Sequence, residues 1–88
     1  MPEGGTRRPG PAARLTVYSR IGCHLCEDMQ AQLMRLQSQW NFEFEVIDID
    51  EDAALRERFN VKVPVLALGD DIICCHFLDE RSLLDALT

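Results

Sequence analysis

Leu15-Thr16-Val17-Tyr18-Ser19-Arg20-Ile21-Gly22-Cys23-His24-Leu25-Cys26 is the stretch that decides how this 88-residue chain folds. Its first five residues are partly β-branched or aromatic and alternate in polarity, which suits a strand. Gly22 supplies a flexible turn. From His24 to about Ser38 the apolar residues Leu25, Met29, Leu33, Met34 and Leu36 fall at helical spacing and predict a core-facing helix. The CxxC pair Cys23-His24-Leu25-Cys26 therefore sits where a strand turns into a helix. A thiol at a helix N-terminus faces unpaired backbone N–H groups and the positive end of the helix dipole, and both favour thiolate. Cys26 lies one helical turn on, on the same face, within reach for a disulfide.

Downstream, Phe42, Phe44, Val46, Ile47 and Ile49 read as a second strand. It alternates with Glu43 and Glu45 at first and then turns more continuously apolar, which predicts deeper burial of its second half. Asp50 stands as the N-cap of a short helix from Glu51 to about Phe59, ended by Asn60. Val63 to Leu68 is a third strand opened by Pro64. Gly69-Asp70-Asp71 is a hairpin turn, and Ile72 to Phe77 is the returning fourth strand. Asp79 caps a last helix carrying Leu83, Leu84 and Leu87, and Trp40 covers a core edge. The order β-α-β-α-β-β-α predicts an α/β fold. The first two strands are parallel, the last two form an antiparallel hairpin, and helices lie on both faces of a four-stranded mixed sheet.

Residues 1–13 hold three of the five glycines and three of the four prolines with no apolar periodicity, so they predict a disordered tail before a domain over residues 14–88. Pro9-Gly10-Pro11 after Arg7 and Arg8 is the opposite of a signal peptide's apolar region, which points to the cytoplasm. No apolar run approaches the ~20 residues of a membrane span. Beyond Arg14 the chain carries fourteen acidic and six basic residues, a net charge of −8. Such a body repels phosphate backbones and argues against a nucleic-acid partner. Nothing in the pattern demands self-association, and a monomer is expected.

In a chain without a secretion signal, CxxC beside a strand–helix–strand pattern points to redox chemistry. Cys23, at the helix mouth, is the expected nucleophile, and Cys26, inside the first turn, is the expected resolving thiol. His24, as an imidazolium near Cys23, would favour thiolate further, and otherwise faces solvent. Arg20 could bind a substrate carboxylate or stabilise the thiolate. Val63-Pro64 could offer backbone groups to a peptide or thiol substrate. Cys74 and Cys75 are adjacent strand residues, one expected to face the core and one to face out. They do not form a second CxxC, so a four-thiolate zinc site is not expected, and no metal ligands are assigned.

From Leu15 onward the chain resembles the glutaredoxins of the thioredoxin superfamily. Tyr18-Ser19-Arg20, then Cys23-x-x-Cys26, then Val63-Pro64 and an antiparallel hairpin match that family in order and approximate spacing. It is most similar to the short bacterial glutaredoxin-like proteins. The resemblance implies a thiol–disulfide oxidoreductase in which Val63-Pro64 is a cis-proline substrate platform and Arg20 contacts a glutathione carboxylate. It also implies that no cofactor is tightly bound and that glutathione is a candidate reductant. The partner would be a disulfide-containing protein or a small-molecule thiol. Three departures bear on the substrate: His24-Leu25 stands in place of Pro-Tyr, Lys62 in place of Thr, and Cys74-Cys75 in place of Gly-Gly. Two other readings use the same residues. One is a metal- or iron–sulfur-binding module on Cys23, and the other a redox-inactive binding adaptor built on Val63-Pro64.

Overall fold

The computed structural model describes residues 13–88. Its elements are β1 (Ala13–Ser19), α1 (His24–Leu36), β2 (Phe42–Asp48), α2 (Ala53–Phe59), β3 (Val65–Leu68), β4 (Asp71–Cys75) and α3 (Glu80–Leu87), with a 3-10 turn over Ile49–Glu51 between β2 and α2. The disordered tail expected over residues 1–13 lies outside the described residues, apart from Ala13, which opens β1 opposite Phe42. The four strands form one mixed sheet in the order β2-β1-β3-β4. β1 runs parallel to β2 from Ala13↔Phe42 to Ser19↔Asp48, and antiparallel to β3 from Leu15↔Leu68 to Tyr18↔Val65. β3 and β4 form the expected antiparallel hairpin.

Strand alternation then sorts the core into two layers. Leu15 and Val17 of β1, Phe42 of β2 and Leu66 of β3 pack with Met29, Leu33 and Leu36 of α1 and Leu83 of α3. On the opposite face, Val65, Ile49 and Phe59 pack with Tyr18, Leu55, Val63 and Cys75 under α2. Tyr18 stacks on Phe59 with ring centroids 4.5 Å apart. Helices thus cover both faces of the sheet, as a single β1–α1–β2 crossover and the later hairpin require. Full burial of each Leu, Val, Ile, Phe or Met side chain is worth about 1.5–3 kcal/mol, so α1, with Met29, Leu33 and Leu36 as anchors, is held firmly to the sheet.

Several local expectations are corrected. Asp50 does not cap α2. Asp48 caps the 3-10 turn through the Asp50 N–H, and Asp52 caps α2, accepting from the N–H groups of Ala54 and Leu55. The second half of β2 is not the deeper half, because β2 is an edge strand and Val46 is 45% exposed. Met34 falls on the solvent side of α1, beyond the stripe of Met29, Leu33 and Leu36. β3 begins at Val65 rather than Val63, and β4 ends at Cys75, because His76 takes a positive φ of 68° that leaves the strand. Asp79 caps α3 as expected, accepting from Ser82 N–H at 3.1 Å.

A bulge governs the two strand cysteines. Cys74 pairs with Leu66 and Ile72 with Ala67, which leaves Ile73 as the extra residue. Ile73 and Cys74 therefore both pack on the α1/α3 layer, and Cys75 packs on the α2 layer. Neither faces out: both thiols are half-buried, on opposite sides of the sheet.

The topology fixes where a site can form. The C-terminal ends of β1 and β2, the start of β3 and the end of β4 all lie at one edge of the sheet. This brings Arg20–Cys23, Asp48–Asp52, Asn60–Pro64 and Cys75–Phe77 together.

Candidate functional site

Cys23 and Cys26 are joined by a disulfide, with Cα atoms 5.2 Å apart. The approach to this bond begins with a turn in which Cys23 N–H donates to Arg20 O at 3.2 Å. Gly22 occupies its third position with φ +80°, a conformation that side-chain-bearing residues avoid; the requirement is conformational, since a Cβ there would meet nothing within 4 Å. Cys23 is the N-cap of α1, in extended backbone conformation, and its Sγ accepts the backbone N–H of Cys26 at 3.1 Å. An N-cap side chain ordinarily satisfies one of the four orphan N–H donors of a helix with oxygen; here sulfur does so. Cys23 remains partly accessible, whereas Cys26 is 1% exposed beneath the first turn. The two sulfurs are thus chemically unequal. One is solvated and aimed at helix N–H groups, and the other is reached only through it.

A shallow cleft of about 360 Å³ opens beside the disulfide, lined by residues that include Ser19, Arg20, Cys23, Cys26, Glu27, Val46 and Asp48. The structure brings Arg20, Cys23 and Cys26 together there. Arg20 is already engaged. Its Nε and one terminal nitrogen donate to the two carboxylate oxygens of Asp50 at 3.0 and 3.1 Å. It also reaches the backbone carbonyl and side-chain oxygen of Asn60, at 3.3 and 3.1 Å. The guanidinium therefore ties the Arg20–Cys23 turn to the turn after β2 and to the loop before β3.

His24 points away. Its side chain is 86% exposed and lies 3.8 Å from Asp28, one turn along α1. Of the two positions sequence left open for it, the solvent-facing one is occupied. The Val63-Pro64 peptide bond is cis. Val63 is half-buried and Pro64 is buried, and neither lines the cleft beside the disulfide. The loop carrying them is tied to Arg20 through Asn60, and to β4 through His76, whose N–H donates to Pro64 O at 2.8 Å and whose Nε2 lies 2.9 Å from Val61 O. Among the described residues no group of three or more His, Cys, Asp or Glu side chains is placed to hold a metal ion. No described helix is long and apolar enough to cross a membrane.

Sequence reasoning missed Asp50 and Asn60 as partners of Arg20, and Glu27 and Asp48 as cleft residues. The available signal was the parallel β1–β2 pairing. Once Ser19 lies opposite Asp48, the residues just beyond each strand end must be neighbours.

A family model described as Glutaredoxin-like domain (DUF836) matches residues 14–88. Among solved structures, the chain is similar to protein Ne2328 from Nitrosomonas europaea, solved by solution NMR, with a TM-score of 0.82 and 41% identity over 94% of this chain and 100% of that one. It is also similar to a structural-genomics target protein from X. campestris solved by X-ray methods, with a TM-score of 0.68 and 32% identity over 84% of this chain and 99% of that one. A malarial protein at 17% identity, with a TM-score of 0.58 over 84% of this chain and 91% of that one, shares the fold. No curated protein matches the chain. The cysteine pair at disulfide distance, in this fold, supports a thiol redox role.

Proposed function

Because this chain belongs to the glutaredoxin-like domain family, we propose that it is a thiol–disulfide oxidoreductase working through the Cys23/Cys26 pair. The observation that carries the reading is the inequality of the two sulfurs: Cys23 caps α1 with its Sγ on a backbone N–H at 3.1 Å, while Cys26 is 1% exposed.

In the reduced state the N–H that meets Cys23 Sγ stabilises a thiolate, and the positive end of the α1 dipole adds to it. That thiolate attacks one sulfur of a substrate disulfide. A bond forms between Cys23 and that sulfur, the substrate S–S bond breaks, and the other substrate sulfur leaves as a thiolate that takes up a proton from water. Cys26 then loses its proton and attacks Cys23 Sγ. The Cys23–Cys26 disulfide forms, and the second substrate sulfur leaves as a thiol. Two electrons have passed from the protein dithiol to the substrate. A thiol, glutathione or a reductase dithiol among them, returns the protein to its reduced state by the reverse exchange. Cys26 is too buried to make the first attack and is well placed for the second.

Arg20, with His24 exposed beside Asp28, is assigned to holding the loops rather than to anchoring a carboxylate; through Asn60 it also fixes the loop that leads to Val63 and cis-Pro64, the backbone platform assigned to the substrate. A Cys26→Ser variant tests the order of events. After reduction and mixing with a small symmetrical disulfide, it should accumulate one mixed disulfide, located at Cys23 by mass spectrometry, and a Cys23→Ser variant should form none. Turnover by Cys23→Ser would overturn the assignment.

A further inference from the structure

Resting on the oxidoreductase reading above, we infer that the Cys23–Cys26 site takes its disulfides from cationic polypeptide segments and discriminates against the anionic disulfide of glutathione. Glu27 and Asp48 line the cleft together with Cys23. The two segments flanking it, Glu27-Asp28 on α1 and Asp48 to Asp52 at the end of β2 and just beyond it, carry six acidic side chains. Against them stand Arg20, Lys62 and Arg56, which donates to Asp50 O at 3.3 Å, so acidic side chains outnumber basic ones two to one. Arg20 directs four hydrogen bonds to Asp50 and Asn60, so its charge and that of Asp50 offset each other and the remaining acidic side chains set the sign of the field. Lys62 is exposed on the loop before Val63. A ligand sulfur arriving at Cys23 therefore enters a negative field. Glutathione disulfide has more carboxylates than ammonium groups and is repelled by that field; a segment bearing lysine or arginine is drawn in.

The apolar rim points to the same class of substrate. Ile21, in the turn just before Cys23, is 86% exposed, and Val61, next to the Asn60 that Arg20 holds, is 78% exposed. Neither side chain packs in either core cluster. A polypeptide crossing the disulfide can cover both with its own apolar residues, which adds a non-directional contribution to binding. The substrate class this combination fits is a protein disulfide flanked by basic and apolar residues, reduced by the exchange described above.

The test uses the full chain, reduced and freed of reductant, and three probe disulfides. Two are homodimers of one cysteine-containing peptide with leucine flanks, differing only in carrying lysines or glutamates, and the third is glutathione disulfide. Rates are read by acid quench and chromatography, and each is divided by the rate of the same probe with dithiothreitol to remove intrinsic reactivity. At low ionic strength the lysine peptide should react about 10-fold faster than the glutamate peptide or glutathione disulfide on this corrected scale. The advantage should shrink toward parity near ~1 M salt, where screening acts over about 3 Å. A Glu27→Gln/Asp28→Asn variant, checked for an unchanged circular dichroism spectrum, should lose roughly two- to threefold of the preference, in line with removing two of the flanking carboxylates. Equal corrected rates for the three probes, or a preference for glutathione disulfide, would overturn the substrate class and leave the oxidoreductase reading standing. No reaction with any probe beyond the dithiothreitol rate would overturn both.

Discussion

Replacing Arg20 by Gln, Asp50 by Asn, and both together separates two roles for the guanidinium beside the disulfide: a clamp between loops or an anchor for a substrate carboxylate. The fork of 3.0 and 3.1 Å hydrogen bonds to both Asp50 oxygens is the geometry in which an ion pair contributes most. Its side chains are, however, 32% and 42% exposed, so solvent screens the pair heavily. The coupling expected between the two positions is about 1 kcal/mol, the upper end of the range for exposed pairs. Arg20→Gln also weakens the bonds to Asn60, each worth about 0.5–1.5 kcal/mol net before exposure is considered, so it should cost somewhat more than Asp50→Asn. Urea unfolding of the four oxidised proteins gives the cycle, and thermal midpoints should fall by about 4–8 °C per kcal/mol. Raising the salt to ~1 M should reduce the coupling. A coupling below about 0.3 kcal/mol, within the additivity expected of independent sites, would refute the clamp. So would an Arg20→Gln protein of unchanged stability that had lost its reaction with carboxylate-bearing disulfides.

Other parts of the structure make their own predictions. Leu33 is fully buried where α1 meets the sheet, so Leu33→Ala should cost about 2–5 kcal/mol by denaturant unfolding; a loss under about 1 kcal/mol would mean α1 is not seated as described. Burial pushes the Cys74 thiol above its ordinary value against the opposing backbone N–H of Asp79, with the charges of Asp79 and Cys75 adding to the rise. The folded state thus holds this proton more tightly than the unfolded one. Its stabilising effect is whole below the unfolded thiol's value, about 8.5, and is lost as pH rises through the raised folded value. Cys74→Ala should flatten the fall in stability over that alkaline window, and an unchanged slope would contradict it. Asp79 moves the other way, held below the usual carboxylate range first by the backbone N–H of Ser82 and then by its side chain. Its contribution is present above the unfolded carboxylate value and is lost as pH falls through the lowered one, so the stability difference between the parent chain and Asp79→Ala should close in acid. A difference independent of pH would mean that the cap does not act through its charge.

The elements whose apolar spacing repeats were legible in sequence. Leu15 and Val17 marked β1, Met29, Leu33 and Leu36 marked α1, and Asp79 ahead of Leu83 marked α3. Features set by a neighbour in space were not. Between Asp48 and Asp52 four acidic residues compete for two caps, and only the end of the β1–β2 ladder decides that Asp48 and Asp52 take them while Asp50 turns to Arg20. Val46 reads as core by composition but lies on an edge strand, a place that depends on sheet order rather than on the residue. The positions of Cys74 and Cys75 hinge on one extra residue, Ile73, that a period-two pattern cannot announce. At the site, Cys23 and Cys26 were visible because their chemistry is local to a helix start. Asp50 and Asn60, 30 and 40 residues from Arg20, were invisible because their role exists only after folding.

The claim on which the functional reading rests is that the cap position activates one sulfur and burial silences the other. Alkylation of the reduced chain by iodoacetamide across a pH series, with the modified residue identified by peptide mass spectrometry, tests it most directly. Cys23 should react first, with a rate midpoint below the ~8.5 of an ordinary thiol, and Cys26 should remain slow throughout. A Cys23 midpoint at or above ~8.5, or equal labelling of Cys26, would contradict the account.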